Sequence, residues 1–381
     1  MKALLFFLGM FFTTVLWSQT VTTQIGELPA LVKETSGLLF YNGRLITHND
    51  SGNLPQLYEI DTTSLAIVRT VTIANVQNID WEDLTQDDDF IYIGDFGNNR
   101  GDRRDLRILK ISKTDYGLSD VVVAEEINFM YEDQMDFETT EDSDFDAESL
   151  FSLQDDLIVL TKQWQQKGTV AYRIPKIPGA FLAERMDTYQ VDGLVTAAVF
   201  DSASSRLFLV GYSEFLVPFF ATIADVNPDA IFGGEKEKTN LDIGFAQVEA
   251  LALITPDHFY VSSEEFINPP IVNTASRLFS LLLNESQEGE GGGVDPIDTE
   301  VDPEGFIVFK TFGSNQLNYN LNITEGIVAM GIFDSSGRLI SYEPLERITT
   351  DPIDISTLGQ SLYYLTFFLV DGAISAPFYK D

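Results

Sequence analysis

Five stretches of the chain begin alike. ETSGLLFYNGRLITHND starts at Glu34, DWEDLTQDDDFIYIGDF at Asp80, DAESLFSLQDDLIVLTK at Asp146, LVTAAVFDSASSRLFLVGY at Leu194 and QVEALALITPDHFYVSSE at Gln247. Each passes from a polar start through an apolar stretch and a short turn into a stronger apolar strand. Each is followed by another apolar or aromatic run: QLYEI, LRILKI, VAYRI, FFATI or RLFSL. Ser36, Glu82, Glu148, Thr196 and Glu249 hold the equivalent place. Their spacing, about 50 residues, is that of a β-propeller blade. A unit of three or four short strands cannot bury both its faces alone, so successive copies must pack on one another. The longest gap holds the acidic stretch YEDQMDFETTEDSDFD (131–146), read as a surface loop. A β-sandwich is the alternative, and it leaves the recurrence unexplained. The strand runs are β-branched and aromatic, bounded by Asp, Asn, Gly and Ser, with no sustained helical period. The fold class is therefore all-β. Five repeats predict five blades, although the length of the region also divides into six.

The chain divides at composition breaks. Residues 1–18 open with Met1-Lys2, continue in the apolar run ALLFFLGMFFTTVLW and offer Ser18-Gln19 as a cleavage point. This is expected to be a secretory signal peptide, because the apolar run is shorter than the roughly 20 residues of a membrane span. An uncleaved anchor is the alternative. No later stretch is long enough to span a bilayer. Residues 19–284 carry the repeats. Residues 285–304, ESQEGEGGGVDPIDTEVDPE, are rich in Gly, Pro and acids and read as a linker. Residues 305–381 have their own strand pattern, with turn signals at Asp334-Ser335-Ser336-Gly337 and Asp371-Gly372.

Two resemblances follow. The starts ETSGL, DWEDL, DAESL, VTAAV and VEALA, with VSSEEFINPP near the end of the large region, resemble the SdiA-regulated family and the wider set of secreted phytase-like β-propellers. The likeness covers most of 34–284, and the SdiA-regulated family implies five blades. The tail, with IFDSSGRLI, IDISTL before an aromatic strand and a last strand ending in Lys380, resembles the C-terminal sorting domain of type IX secretion substrates. That likeness implies a small β-sandwich, engagement of the type IX machinery, and a secreted or outer-membrane-surface location. An ordinary β-sandwich module for binding or stability is the alternative reading of the tail.

Charge excludes some functions and favours others. Asp plus Glu number 59 against 23 Lys plus Arg, for a formal charge of −36. Such a chain repels phosphate backbones and anionic lipid, so nucleic acid is not an expected partner. It is compatible with cation binding. There is no Cys and there are only two His, which removes thiolate metal sites and multi-His zinc or iron sites. No G-x-S-x-G elbow, P-loop or H-E-x-x-H is present. The expected state is a monomer with an extracellular ligand that the sequence does not identify.

The candidate site sits at the repeat starts. The first strand of a blade lines the central channel, and residues two apart share a face. Asp80 then pairs with Glu82, and Asp146 with Glu148, while Gln247 pairs with Glu249. Carboxylates converging at one end of a channel cannot all stay ionised without a cation, and carboxylate and carbonyl oxygens suit Ca²⁺. The metal candidates are Glu82, Glu148 and Glu249, with Asp80 and Asp146; the alternative is a hydrated, partly protonated channel mouth. A second repeated element, Asp-x-Gly-Asn, occurs at Asp50 and Asp95. Its Asp and Asn can cap turns, with Gly at positive φ. Alternatively His48, Asn49, Asp50, Asp95 and Asn98 face a ligand. In the third and fifth repeats the matching places hold Thr161-Lys162 and Ser263-Glu264. Lys162 is the one basic group beside the acids, able to neutralise them or to bind an anion. The cluster RGDRRDLR (100–107) is expected to form salt bridges with Asp102 and Asp105, or to receive phosphate. Trp164 is a core residue or a platform for a sugar. A calcium-dependent ligand-binding propeller is the favoured reading. A calcium-dependent hydrolase of phosphate or other esters is the alternative.

Overall fold

The computed structural model describes residues 19–214, 216–244, 246–268, 272–284, 306–310, 315–321, 327–334, 339–344, 352–369 and 372–380. The expected signal peptide, the linker 285–304 and the turns at 335–337 and 371 lie outside the described residues.

The repeats are blades, and there are five. Blade 1 is Thr35–Tyr41, Arg44–Asn49, Gln56–Ile60 and Ile67–Ile73. Blade 2 is Trp81–Gln86, Phe90–Asp95, Arg107–Ser112 and Glu125–Tyr131. Blade 3 is Ala147–Leu153, Asp156–Thr161, Thr169–Pro175 and Gly179–Tyr189. Blade 4 is Leu194–Asp201, Arg206–Tyr212, Pro218–Ile223 and Lys236–Asn240. Blade 5 takes Val248–Thr255, His258–Ser263 and Arg277–Asn284 from the end of the region and Gln19–Glu27 from its start. Gln19 pairs with Asn284 and Glu27 with Arg277, so the first strand fastens the last blade. Within each blade consecutive strands are antiparallel, and the first strand packs against the first strand of the next blade, from blade 5 back to blade 1. The ring is closed.

Apolar alternation builds the core between blades. Five buried clusters each join two neighbours. Leu39, Ile46 and Val71 meet Trp81, Ile91 and Ile93 between blades 1 and 2. Leu38, Leu45 and Ile60 meet Ala250, Ala252 and Leu278 where blade 5 returns to blade 1. Three similar clusters fill the other interfaces. Tight turns fix the registers. Asn42 and Gly43, with φ of 49° and 74°, join the first two strands of blade 1 in the left-handed conformation that two-residue hairpins favour. One pairing is unusual: the outer strand of blade 3 runs parallel to that of blade 2, from Ile127 on Gly179 to Tyr131 on Ala183, merging the two blades into an eight-stranded sheet.

Every inner strand carries a β-bulge near its start, between 36 and 38, 81 and 83, 147 and 149, 195 and 197, and 248 and 250. A bulge breaks the two-residue alternation and re-aims side chains. It falls on the repeat signature that the sequence marks.

The tail forms two sheets. Phe306–Phe309, Gln316–Leu321 and Ile353–Asp354 make one, and Leu339–Pro344, Ile327–Asp334, Ser361–Leu369 and Gly372–Lys380 the other. Leu317 of the first packs with Ile332, Leu365 and Phe367 of the second, a small sandwich core. Among the described residues no helix is long and apolar enough to cross a membrane.

Candidate functional site

The bulged ends of the inner strands open on a cavity of about 430 Å³ at one mouth of the channel. Asp50, Asp80, Glu82, Asn98, Lys162, Glu148 and Glu249 all line it, together with Asp102, Arg100, Arg103, Trp164, Tyr212, Gln247 and Glu264. Residues from all five blades therefore meet around one axis.

The acids do not form one ring. Carboxylate oxygens of Asp50, Asp80 and Glu82 lie within 4.8 Å of one another, the one such group of three among the described residues. Glu148 belongs elsewhere: its Oε1 accepts from Lys162 Nζ at 3.1 Å, both side chains being almost wholly buried. Glu249 lies near that pair, where it feels the charge of Lys162 and hydrogen-bonds Tyr212, while its Oε2, shut off from solvent, has no partner. The expected trio Glu82, Glu148 and Glu249 thus shares a cavity, but the tight carboxylate group draws on Asp50 and Asp80 instead.

Local structure explains the trio. Asn78 donates from its amide to the carbonyls of Asn49 and Asp50, both at 2.9 Å, while its Oδ1 accepts from Trp81 N at 3.1 Å. One side chain so clamps the end of blade 1 to the start of blade 2. Gly97 completes the arrangement. A Cβ there would collide with Glu82 Oε1 and Asp80 Oδ2, so glycine serves close approach at this position. Positive φ, expected for both Asp-x-Gly-Asn loops, occurs at Gly52, where φ is 72°, and not at Gly97.

Several candidates turn away from the cavity. Asp146 is fully buried and accepts from Asn98 N at 2.6 Å and from Trp164 Nε1 at 2.8 Å. Asp80 lines the cavity before an equivalent bulge, so what distinguishes Asp146 is this pair of bonds, which hold its carboxylate in the wall. Asp95 is fully buried under Arg103 and Arg107, at 3.1 and 2.9 Å. Asn49 donates to Leu31 O at 2.8 Å. His48 is wholly buried, with Nδ1 3.0 Å from Asn49 O and its ring edge-on to Trp81. Strand period accounts for the split. Asn49, Asp95 and Thr161 close the second strands opposite Thr35, Trp81 and Ala147, and point into the wall. The next residue, Asp50 or Lys162, points into the cavity.

Electrostatics follow from crowding. Burial, with Asp80 and Glu148 nearby, pushes Asp50 up to about 7. Burial and Glu148 push Asp80 up to about 6, against the pull of Arg103 at 4.0 Å. Burial and the charges of Glu148, Asp50 and Asp80 raise Glu82 well above the carboxylate range. Burial pushes Glu249 up to about 8, although Lys162 opposes the change. Burial alone would discharge Lys162, but Glu148, Tyr212 and Glu249 hold it charged well above the ordinary range. His48, desolvated, falls to about 4 and is neutral at pH 7. The basic cluster 100–107 reaches the site: Arg100 and Arg103 line the cavity, and Arg103 also donates to Gly97 O at 2.9 Å and pairs with Asp105 at 3.1 Å.

Tyr212 and Asn78 complete the site beyond the residues singled out in the sequence, beside Glu264, the fifth-repeat match to Lys162, and Arg103 of the basic cluster. Glu264 had a signal, since it follows the second strand of blade 5 as Lys162 does in blade 3. Asn78 had none beyond its place before DWEDL.

No family model matches the chain, and no curated protein sequence matches it. Among solved structures the chain is similar to the PQQ-bound aldose sugar dehydrogenase of Streptomyces coelicolor, at 9% identity over 71% of this chain and 100% of that one, with a TM-score of 0.41. It is also similar to luciferin-regenerating enzyme, at 10% identity over 69% and 95%, TM-score 0.39. A streptogramin B lyase matches at 12% identity over 95% and 98%, TM-score 0.34. These likenesses carry no functional argument, and the five-bladed propeller rests on the chain's own strand order and ring closure.

Proposed function

We propose that the protein is an exported ligand-binding propeller that holds a Ca²⁺ ion at its channel mouth. The observation that carries the reading is the approach of Asp50, Asp80 and Glu82 to within 4.8 Å of one another in a half-buried cavity. Three carboxylates from two blades, each raised by burial and then by its neighbours, are a hard-oxygen donor set without enough local positive charge. Ca²⁺ accepts six to eight oxygens in adaptable geometry, so waters and carbonyls can complete the shell. Arg103 approaches the trio at Asp80, at 4.0 Å, while pairing with Asp95 at 3.1 Å.

The hydrolase alternative is less well supported. A phosphate ester needs an excess of cationic groups, whereas seven carboxylates and three basic side chains line this cavity. Within the same proposal, the family kinship is with the SdiA-regulated propellers, a kinship that five blades fit. Residues 1–18 direct export, the tail engages the type IX machinery, and the protein works as a monomer at or beyond the outer membrane.

The test is calcium titration by calorimetry, with thermal unfolding alongside. A ligand of the folded state alone raises its melting temperature. Saturable binding that Asp80→Asn and Glu82→Gln both weaken supports the site. Absence of both heat and melting shift in the unsubstituted protein sinks it.

A further inference from the structure

We infer that the opposite mouth of the channel binds an amphipathic organic anion, its acidic head at Lys110 and Lys113 and its apolar body over the far ends of the inner strands. The inference goes beyond the calcium reading and does not depend on it.

The second mouth is a separate cavity. It holds about 1010 Å³, and no residue that lines it also lines the acidic one. Phe40, Gln86, Ser152, Val199 and Leu253 bring all five blades to it. Asp83 stands between the two cavities in the chain, after Glu82 of the first and before Leu84 of the second. Its carboxylate accepts from Leu150 N at 2.8 Å and from Ala198 N, tying three inner strands together there.

The wall of this mouth is of a different kind. Phe40, Val199, Phe200 and Leu253, from blades 1, 4 and 5, line it and are only half-buried. Leu38, Leu84 and Leu251 lie deeper, almost wholly covered. Large apolar side chains left partly open inside one concavity suit a ligand with an apolar body, and a mixed lining with a few polar groups at one edge orients it.

Charge sets the head group. Lys110, Lys113 and Lys176 line the side formed by blades 2 and 3. Lys176 pairs with Asp87 at 3.2 Å, and Asp87 also accepts from Tyr92 Oη at 2.7 Å and Phe90 N at 2.9 Å, so both its oxygens are engaged. Lys110 Nζ donates to Lys176 O at 2.9 Å, and Lys113 Nζ to Asp87 O at 2.5 Å. Among the described residues neither makes an ion pair. An ammonium has three donors, so both lysines keep donors that the apolar wall cannot accept. Burial already lowers the pKa of Lys113, which a counter-charge would reverse. Asp88, Asp89 and Asp155 line the same mouth, but they stand exposed in turns, where water and salt screen them.

The experiment is calorimetry of the full chain in calcium-free buffer, with decanoate as the probe and octanoate and decyltrimethylammonium as comparisons. Decanoate is expected to bind saturably, and octanoate about tenfold more weakly, since it buries two methylenes fewer. Lys110→Met and Lys113→Met keep the apolar stem. Each is expected to weaken decanoate about threefold to tenfold, between the loss of an exposed ion pair and that of a charge-assisted hydrogen bond. Leu253→Asn is expected to weaken it too, by making the wall polar. If that variant does not fold, the lysine variants carry the test. Absence of decanoate binding overturns the inference. So does decyltrimethylammonium binding as tight as decanoate, and so does decanoate binding that both lysine variants leave unchanged. Equal affinity for octanoate and decanoate also overturns it, because the apolar body would then lie outside the cavity. Calcium is titrated separately at the other mouth, so the two readings fail by different results.

Discussion

Asp83 of blade 2 accepts a hydrogen bond through Oδ2 from the backbone N–H of Leu150 in blade 3, at 2.8 Å across 67 residues of chain. Its Oδ1 accepts from Leu84 N, also at 2.8 Å, and Ala198 N of blade 4 contributes a further bond. One buried carboxylate thus satisfies amides of three inner strands beside their bulges. Burial still raises its pKa well above the carboxylate range, despite the three donors. Asp83→Ala is expected to lower stability by about 3 kcal/mol, since it strands buried N–H groups, and to leave calcium stoichiometry unchanged. Urea unfolding checks this, and a change below about 0.5 kcal/mol, typical of a neutral surface site, would refute the role.

Gly97 is where the calcium proposal meets backbone geometry. Its missing Cβ makes room for Glu82 Oε1 and Asp80 Oδ2. Gly97→Ala should push the two carboxylates apart and weaken calcium binding by about tenfold or more, a shift of about 1.4 kcal/mol. The φ at this position is not one that excludes alanine, so the blade itself should keep its far-ultraviolet circular dichroism. Unaltered calcium affinity would remove Asp80 and Glu82 from the metal site.

The sequence announced the blades but not all of the site. Each blade restates the same start, so Glu82, Glu148 and Glu249 stood out, and all three line one cavity. Closure by Gln19–Glu27 was hidden, because that strand pairs with Arg277–Asn284 at the far end of the region and carries no copy of the signature. Asp146 was misplaced because its carboxylate is held in the wall by Asn98 N and Trp164 Nε1, partners 48 and 18 residues away that no local pattern encodes. Asp95 was misplaced by a single residue: it ends its strand facing the wall, as Asn49 does. The tightness of Asp50, Asp80 and Glu82 depends on the Asn78 clamp, a contact between blades that no local spacing encodes.

Acid should stabilise the metal-free protein. Asp50 and Asp80 sit at about 7 and about 6 in the folded state, against an ordinary 3.8. Between about pH 4 and pH 7 the folded protein therefore binds more protons at these sites than the unfolded chain, and the contribution to stability falls as pH rises. The penalty is fully present above about pH 7. Calcium should remove it by favouring the ionised forms, so melting temperatures with and without calcium should diverge as pH rises from 5 to 8, with protons released on binding. A calcium-induced shift that grows toward acid pH would contradict this assignment.

The Lys162–Glu148 pair should behave as a buried ion pair, costly to break from one side. Both side chains are almost wholly buried, and Nζ lies 3.1 Å from Oε1. Lys162→Met leaves Glu148, Glu249 and Glu264 without their nearest cation, and is expected to destabilise the protein by about 3–5 kcal/mol. Glu148→Gln alone should cost less, because Lys162 keeps Glu249 and the faces of Trp164 and Tyr212 as partners. If the pair is coupled, adding Glu148→Gln to Lys162→Met recovers part of the loss, and the double-mutant cycle shows an interaction of about 1 kcal/mol or more. Strict additivity in urea unfolding would mean that Lys162 serves the whole acidic cavity rather than Glu148 in particular.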